Sequence, residues 1–250
     1  MLACGYFGKR PHDRDFLFDG LPARVTDRWA QVMASWMHEA KTLQPNTWKH
    51  TFLQGPIWRF ALGPGHLDDQ VWIGILAASV DTFGREFPFA VLISAEAESL
   101  PPGLTRSVDQ IMDRIERDLL IFLDGGFNRR EFVAILGEEA KALRQGITEK
   151  PTKFRYELPK PVSDEFAIAL TVAALEAQPQ DLSGAVSWQQ ASMQGKSPSN
   201  CYWWHEGTET RAPELCVSLG LPTGKQTAAF FSGDWMNSGW RPRDEHPGFS

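Results

Sequence analysis

The length, composition and charge of the chain exclude several classes of protein. Its 250 residues suffice for one large domain or two small ones, and the 42% of apolar residues predict a sizeable core. The formal net charge is −6 and no block of Lys or Arg occurs, which argues against nucleic acid and anionic membranes as partners. No apolar run approaches the roughly 20 residues of a membrane helix. Three Cys without metal-type spacing indicate reduced thiols of a cytoplasmic protein, and ten Trp raise the expectation of a protein-binding surface.

The first part of the chain predicts a strand, a charged loop and two helices. Residues 2–7 form a short apolar run. The loop at 8–20 is dense in charge, and its apolar residues Phe16, Leu17 and Phe18 are expected to anchor it. Pro22 opens the first helix, because a proline in the first turn loses no hydrogen bond. A second, short helix is expected after Pro45. The apolar face of the first helix consists of Val25, Trp29, Val32, Met33, Trp36, Met37 and Ala40.

Residues 55–94 predict the central sheet. They contain three apolar runs separated by turn residues, at 57–62, 71–80 and 87–93. Short β-branched and aromatic runs bounded by Gly and Pro are typical of strands. The second and third runs are apolar at almost every position, so we expect both of their faces to be covered.

Helices and shorter elements are predicted after the sheet. Capping-box patterns at Ser107–Gln110 and Asn128–Glu131 begin two helices, the second of which runs to about Arg144. Further along the chain we expect a linker-like loop at 145–162, an Ala-rich helix from Ser163 to Leu175, a hairpin of strands at 182–188 and 199–205, a strand at 214–219 and a short helix at 223–231.

These elements predict an α/β fold with one domain. We expect a mixed β-sheet with helices on both faces, that is, a three-layer α-β-α sandwich. The domain is predicted to span 1–235, with an N-terminal part at 1–144 and a C-terminal part at 163–235. An irregular tail is expected at 236–250.

The chain carries no strong motif for catalysis or for metal binding, so we expect no catalytic residues, no cofactor and no metal. Residues 220–227 resemble a phosphate loop, but the glycine spacing is one residue short and Gln226 replaces the Ser or Thr that magnesium needs. The six His are scattered and none has ligand-type spacing. A hydrolase whose Ser, His and Asp are distant in sequence stays open, because spacing does not reveal a spatial triad.

Charged residues inside or between the apolar runs say more about a possible functional site than these weak motifs do. Arg59 lies within a predicted strand, and Arg85 lies between two predicted strands. An unpaired buried charge costs several kcal/mol, so both arginines must be paired or lie at sheet ends that face solvent. Their expected partners are Asp15, Asp81 and Glu86. Two interpretations follow: a network that fastens the sheet to the N-terminal loop, or a polar patch that recognises a partner.

Several blocks of the sequence resemble the TagF (also ImpM) family of bacterial type VI secretion. The blocks are GYFGKRPHDRDF at 5–16, GPIWRFALGPG at 55–65 and SVDTFGREFPF at 79–89. More loosely, NCYWWHEGTE at 200–209 and PELCVSLGLP at 213–222 resemble the Trp-Trp block of that family and its following strand. The chain departs from the family at Arg14, which stands where a glycine is usual.

The resemblance implies a cytoplasmic, non-enzymatic accessory protein. Members of the family act as post-translational repressors of the secretion machine by binding its forkhead-associated scaffold protein, Fha. As the net charge and the lack of a long apolar run indicate, no nucleic-acid partner and no membrane insertion are expected. The signature residues, which contact the partner or hold the fold, are Lys9, Arg10, Asp15, Phe16, Trp58, Arg59, Asp81, Gly84, Arg85, Trp203 and Trp204.

Two further expectations concern the loop after the first strand and an alternative function. If the loop after the first strand is an interface, charge reversal at Arg10 is expected to weaken binding without unfolding the protein. The alternative function is a small-molecule or nucleotide sensor of the same pathway, which would use the Gly224-Lys225 turn or a pocket near Arg85.

Overall fold

A mixed β-sheet with packed helices makes up the fold of the described residues. The computed structural model describes residues 2–96, 106–147, 167–171, 201–218 and 220–242. Its elements in chain order are β1 (Cys4–Gly8), β2 (Leu17–Asp19), α1 (Ala23–Leu43), α2 (Trp48–Leu53), β3 (Trp58–Leu62), β4 (Val71–Ala77), β5 (Phe89–Ala95), α3 (Arg106–Leu123), α4 (Arg129–Ile147), β6 (Ala167–Thr171), β7 (Cys201–His205), β8 (Glu214–Ser218), a 3₁₀ helix (Gly224–Thr227), α5 (Ala228–Ser232) and β9 (Arg241–Pro242).

Within these ranges the strands form one sheet in the order β2-β1-β5-β4-β3-β7-β8-β6-β9. Neighbouring strands are antiparallel, except β6 and β9, which are parallel. The predicted mixed α/β class is therefore confirmed. None of the helices in the described ranges is long and apolar enough to cross a membrane.

Most predictions for the described residues up to 147 agree with the structure. The exceptions are that Leu17–Asp19, inside the predicted loop, form β2, and that α4 continues to Ile147, three residues into the predicted linker. Helix α1 begins directly after Pro22, and its buried residues are the seven apolar residues that the helical spacing predicts. Every residue of β3, β4 and β5 is buried, as expected for the three central strands. The Asn128–Glu131 capping box is confirmed, because each backbone N–H donates to the other side chain, at 2.9 and 3.0 Å. Helix α3 already includes Arg106, so Ser107, where the helix is expected to begin, lies within it.

Two hydrophobic clusters use alternate residues of the central strands. In β4, Ile73 and Ile75 belong to a cluster with residues of α3 and α4. Trp72 and Leu76 of the same strand belong to a cluster with residues of α1, α2 and α5. This division follows from the pleat of a strand, in which successive side chains point to opposite faces.

Two predictions for the C-terminal part are wrong. Residues 167–171 are not helical; they form β6, which is paired with β8 and β9. Ala has the highest helix propensity, but propensity is a weak predictor, and pairing within the sheet overrides it here. Strand β7 pairs with β3 on one edge and with β8 on the other, so the predicted hairpin with 182–188 does not form. Residues 182–188 themselves lie outside the described residues.

The region where the predicted tail begins is packed. Trp235 and Trp240 are both buried, and the Nε1–H of Trp240 donates to the backbone oxygen of Gln226 at 2.9 Å. Residues 241–242 then form β9. No repeated spacing of apolar residues marks the two Trp, which is why hydrophobic periodicity does not reveal them.

Candidate protein-binding site

The strand registers bring the sequence blocks of the signature residues to one end of the sheet. Strand β1 ends where β5 begins, since Phe7 pairs with Ala90. Strand β4 ends at the same place, since Ala77 pairs with Phe89. Because β3 is antiparallel to β4 and β7 is antiparallel to β3, β3 begins and β7 ends at this end as well. We call it the signature end of the sheet; it carries the loops after β1, β4 and β7.

Asp81 is the centre of a hydrogen-bond network in the loop after β4. Its side chain is buried and accepts hydrogen bonds from the backbone N–H groups of Phe83 and Arg85, at 2.9 and 3.0 Å. It also pairs with the Arg85 Nε at 2.6 Å and with the Lys9 Nζ at 3.0 Å. The N–H of Gly84, whose φ is 73°, donates to the Asp81 backbone oxygen and closes the turn. The Asp81–Arg85 ion pair is one of the pairings expected from the sequence.

The charge of Asp81 is maintained by these donors. Burial alone would raise the pKa of the carboxyl group. The hydrogen bonds from Arg85, Lys9 and Phe83 outweigh the burial and hold the pKa well below its ordinary value. Asp81 therefore stays ionised at physiological pH and keeps the loops after β1 and β4 together.

The loop after β1 is fastened to the loop after β4 through its backbone. Arg85 Nη2 donates to the backbone oxygen of Arg14 at 2.8 Å, and the N–H of Thr82 donates to that of Asp13 at 3.1 Å. No non-glycine residue in the described ranges has a positive φ, so Arg14 occupies its position without the strain that a left-handed turn would impose. These contacts support the interpretation that the network fastens the sheet to the N-terminal loop.

Arg10 is a buried anchor of the same loop. Its Nη2 donates to the backbone oxygen of Phe127 at 3.1 Å, and its guanidinium lies 4.2 Å from the centroid of the Phe122 ring. Its Nη1 lies 3.6 Å from a carboxylate oxygen of Asp13. Charge reversal at such a buried position would disturb the fold, so the expectation of a purely surface effect at Arg10 does not agree with the structure.

Replacing Arg10 by alanine is expected to lower the free energy of unfolding by about 2 kcal/mol, because a hydrogen bond from a charged group contributes about 1.5–3 kcal/mol. Urea denaturation at pH 7 measures the change. Arg14→Ala is the matched control, since the Arg14 side chain is exposed, and it should stay within about 0.5 kcal/mol of the wild type. Equal effects of the two substitutions would contradict the anchoring role.

Phe16 and Asp15 lie at the surface of this loop. The Phe16 ring stacks on Phe7 with centroids 5.3 Å apart and meets the edge of Phe87 at 4.7 Å. The Lys9 Nζ lies 5.3 Å from the centroid of the same ring. Asp15 is exposed and forms no ion pair with another residue in the described part of the chain. The loop is therefore anchored by a packed aromatic residue, as the sequence predicts, and it has a charged outer surface.

Arg59 is paired, but not with the predicted partners. Its guanidinium is buried and contacts three carboxylates from α3 and from the loop after β7: Asp113 at 2.7 Å, Glu116 at 2.9 Å and Glu206 at 3.3 Å. Burial would lower the pKa of Arg59, but attraction to these carboxylates raises it above its ordinary value. The predicted partners are wrong because the neighbours of a strand in the finished sheet are not visible in its local sequence.

The signature tryptophans belong to the core. Trp58 donates from Nε1 to the backbone oxygen of Phe230 at 3.1 Å. Trp203 and Trp204 are fully buried, one in each hydrophobic cluster. The nine Trp residues in the described ranges are all buried. The Trp content of these ranges therefore reflects packing, and these nine residues add no exposed Trp to a binding surface.

A second buried network, which sequence reasoning missed, lies at the start of β8. One carboxylate oxygen of Glu214 accepts hydrogen bonds from Arg211 and from the Nε2 of His205, the latter at 2.9 Å. The other oxygen accepts from Trp235 Nε1 at 2.9 Å. The N–H of Gly207 donates to the His205 Nδ1 at 2.9 Å, which assigns the proton to Nε2. Both ring nitrogens are occupied, so His205 is not free to act as a general base.

This network makes the stability dependent on pH. Burial, the largest cause, lowers the pKa of His205 below 6.5, although the hydrogen bond to Glu214 opposes it. As the pH falls through about 6.5, the unfolded chain binds a proton at this position and the folded chain does not. Stability should therefore decrease below about pH 6.5, and the melting temperature at pH 7.5 and at pH 5.5 measures the decrease.

His205→Gln is the control for this prediction. Glutamine can still donate to Glu214 but does not titrate, so the variant should lose less stability than the wild type between the two pH values. An identical loss in both proteins would show that other groups cause the pH dependence.

The segment that resembles a phosphate loop forms a capped turn. The N–H of Thr223 donates to the Gln226 Oε1 at 3.5 Å, at the start of the four-residue 3₁₀ helix. Gln226, which departs from the nucleotide-binding pattern, thus has a structural role. This geometry favours a simple turn and gives no support to a nucleotide site there.

Comparison with known proteins relates this arrangement to a family. The model of the TagF N-terminal domain, described as type VI secretion system-associated, matches residues 5–138. The crystal structure of PA0076 from Pseudomonas aeruginosa PAO1 is similar, with a TM-score of 0.63 and 23% sequence identity over 92% of this chain and 94% of that chain. This likeness shows a shared fold. No curated protein matches the chain. Because the family model covers more than half of its length, the chain belongs to the TagF family of type VI secretion system-associated proteins.

Proposed function

We propose that the protein is a non-enzymatic, cytoplasmic regulator of bacterial type VI secretion. It represses the secretion machine after translation by binding the forkhead-associated scaffold protein. Membership of the TagF family supports the pathway. The observation that carries the binding role is the Asp81 network, which holds the loops after β1 and β4 as one preformed surface.

The mechanism is sequestration of the scaffold. Side chains and loops that are ordered before binding lose little conformational entropy when the complex forms. The ion pairs of Asp81, together with the bonds to Arg14 and Asp13, provide this order in the free protein. A stable complex should bury on the order of 1,200–2,000 Å² in total, enough to block a competing assembly step.

The chemistry of the cysteines supports a non-enzymatic role. Burial raises the pKa of Cys4 to about 11 and raises the pKa values of Cys201 and Cys216 as well. A thiol with a raised pKa is a poor nucleophile, because the thiolate is the reactive form. With both nitrogens of His205 occupied, neither the thiols nor this buried histidine supports nucleophilic catalysis.

We also infer a three-layer arrangement as the scaffold of the binding surface. The division of the strand residues between one cluster with α3 and α4 and another with α1, α2 and α5 supports this inference. Helices on both sides of the sheet would leave the loops at the signature end as the accessible surface.

A pull-down from bacterial lysate tests the proposed function. The purified protein is immobilised, and the proteins that it retains are identified by mass spectrometry from cells that express the secretion system. Recovery of the forkhead-associated scaffold is expected. Recovery of no secretion component from such a lysate would contradict the proposal.

A further inference from the structure

Three exposed phenylalanines lie at the signature end, on β2 and on the loops after β1 and β4. Phe83 is 67% exposed, Phe18 is 65% exposed and Phe16 is 39% exposed, and in the described part of the chain every exposed phenylalanine lies here. Leu17 is buried in the cluster with α3 and α4, so Phe16 and Phe18 point to the other face of the edge strand β2. Exposed aromatic side chains that are grouped in this way indicate a surface that another molecule covers.

In the same region, each of two anchoring carboxylates pairs with two cations, so positive charge exceeds negative charge around them. Asp81 pairs with both Lys9 and Arg85. Asp13 pairs with both Arg10 and Arg129, at 3.6 and 2.7 Å. Each carboxylate therefore neutralises only one of its two cations. The side chains of Arg85 and Arg129 are each 57% exposed, so this positive charge lies at the surface, where the exposed carboxylates of Asp15 and Asp19 offset part of it.

This surplus contrasts with the rest of the molecule. The segment 9–19, the turn at 81–85 and Arg129 together contain five basic and four acidic side chains, whereas the whole chain has a net charge of −6. At the same end of the sheet, the buried Arg59 is surrounded by three carboxylates, so that cluster carries a surplus of negative charge. An acidic partner would be attracted to the first region and repelled by the second.

We propose that Phe16, Phe18 and Phe83, with the exposed guanidinium groups of Arg14, Arg85 and Arg129, form a docking surface, the aromatic–arginine corner, for an acidic segment of the partner protein. The segment also carries at least one apolar side chain, which covers the phenylalanine rings. Phe and Arg are both enriched in protein interfaces, and Arg is frequent among the few residues that carry most of the binding energy. This proposal rests on the proposed function, since it places the scaffold on a defined surface.

One guanidinium group and one ring of this surface lie close together. The Arg85 guanidinium lies 5.3 Å from the centroid of the Phe83 ring, so one carboxylate could contact the arginine while an adjacent apolar side chain covers the ring. Because Asp81 fixes Arg85 and the backbone on both sides of Phe83, these groups are ordered before the partner arrives.

Biolayer interferometry with the purified scaffold immobilised tests the corner. The double variant Phe18→Ser/Phe83→Ser is expected to bind about 10-fold or more weakly than the wild type, because it removes two of the rings that the apolar side chain of the partner would cover. Leu120→Ser and Met236→Ser remove exposed apolar side chains elsewhere and are expected to bind like the wild type. Melting temperatures confirm that each variant is folded.

A charge-reversal pair provides the second test and does not depend on the double variant. Arg14→Glu should weaken binding, and it should reduce the loss of affinity that added salt causes in the wild type. Arg117→Glu changes an exposed arginine on α3 and should do neither. If the wild type binds and both corner variants bind equally well, the corner is not the docking surface, and the proposed function stands. If the wild type does not bind, the proposed function fails and this inference fails with it.

Discussion

Replacing Glu214 by alanine is expected to lower the free energy of unfolding by about 3–5 kcal/mol, the usual cost of removing one partner from a buried ion pair. The carboxylate accepts hydrogen bonds from His205, Arg211 and Trp235, which lie on three separate segments. Without it, the Arg211 cation, which is itself largely buried, has no carboxylate to pair with in this network. Urea denaturation at pH 7 measures the loss.

Two controls isolate the contribution of the Glu214 charge. Glu214→Gln keeps the volume of the side chain and part of its hydrogen bonding, so its effect should be intermediate. Glu209→Ala removes an exposed glutamate from the same β7–β8 connection and should change the stability by no more than about 0.5 kcal/mol. If Glu214→Ala were no more destabilising than Glu209→Ala, the network would not contribute to folding.

Replacing Trp203 by alanine is expected to cost a similar amount, about 3–5 kcal/mol, as is usual when a large buried aromatic residue is truncated. Trp203 is fully buried on β7. Its ring lies 5.0 Å from that of Trp36, 5.1 Å from that of Phe60 and 5.3 Å from that of Phe230, measured between centroids. The substitution would therefore open a cavity between β3, β7, α1 and α5. Thermal and urea denaturation both measure the resulting loss of stability.

Variants of Trp203 also distinguish a role in the core from a role in binding. Trp203→Phe keeps an aromatic ring and should lose less stability than the alanine variant. At a temperature where either variant remains folded, its affinity for the scaffold should equal that of the wild type. Normal stability with lost binding would show instead that Trp203 contacts the partner, contrary to its burial.

Much of the first half of the fold follows from local patterns. The helical spacing from Val25 to Ala40 identifies the buried face of α1. The continuous apolar runs identify β4 and β5, which are buried at every position. In these segments the local preference and the final packing agree, so sequence reasoning succeeds.

The second half depends on pairing between distant segments. Residues 167–171 have the composition of a helix and become a strand because β8 and β9 lie beside them. Strand β7 pairs with β3, more than 130 residues earlier, and no local feature of either strand specifies this register. Periodicity reports which side of an element is buried, but it does not report which element covers it.

The candidate site was predictable only in part. The Asp81–Arg85 pair is local, four residues apart, and the sequence suggests it. The partners of Arg59 come from α3 and from the loop after β7, and those of Glu214 include Trp235, so both networks required the topology. The exposed Phe18 and Phe83 resemble core residues in sequence, and only the structure shows that they lie uncovered.

The most direct test of repression is a secretion measurement in cells. The chain is produced at a raised level in a bacterium with an active type VI system, and the amount of a secreted component in the culture medium is measured. The wild type should lower this amount, and the Phe18→Ser/Phe83→Ser variant at the same cellular level should not. Secretion that is unchanged by the wild type would contradict the proposed role as a repressor.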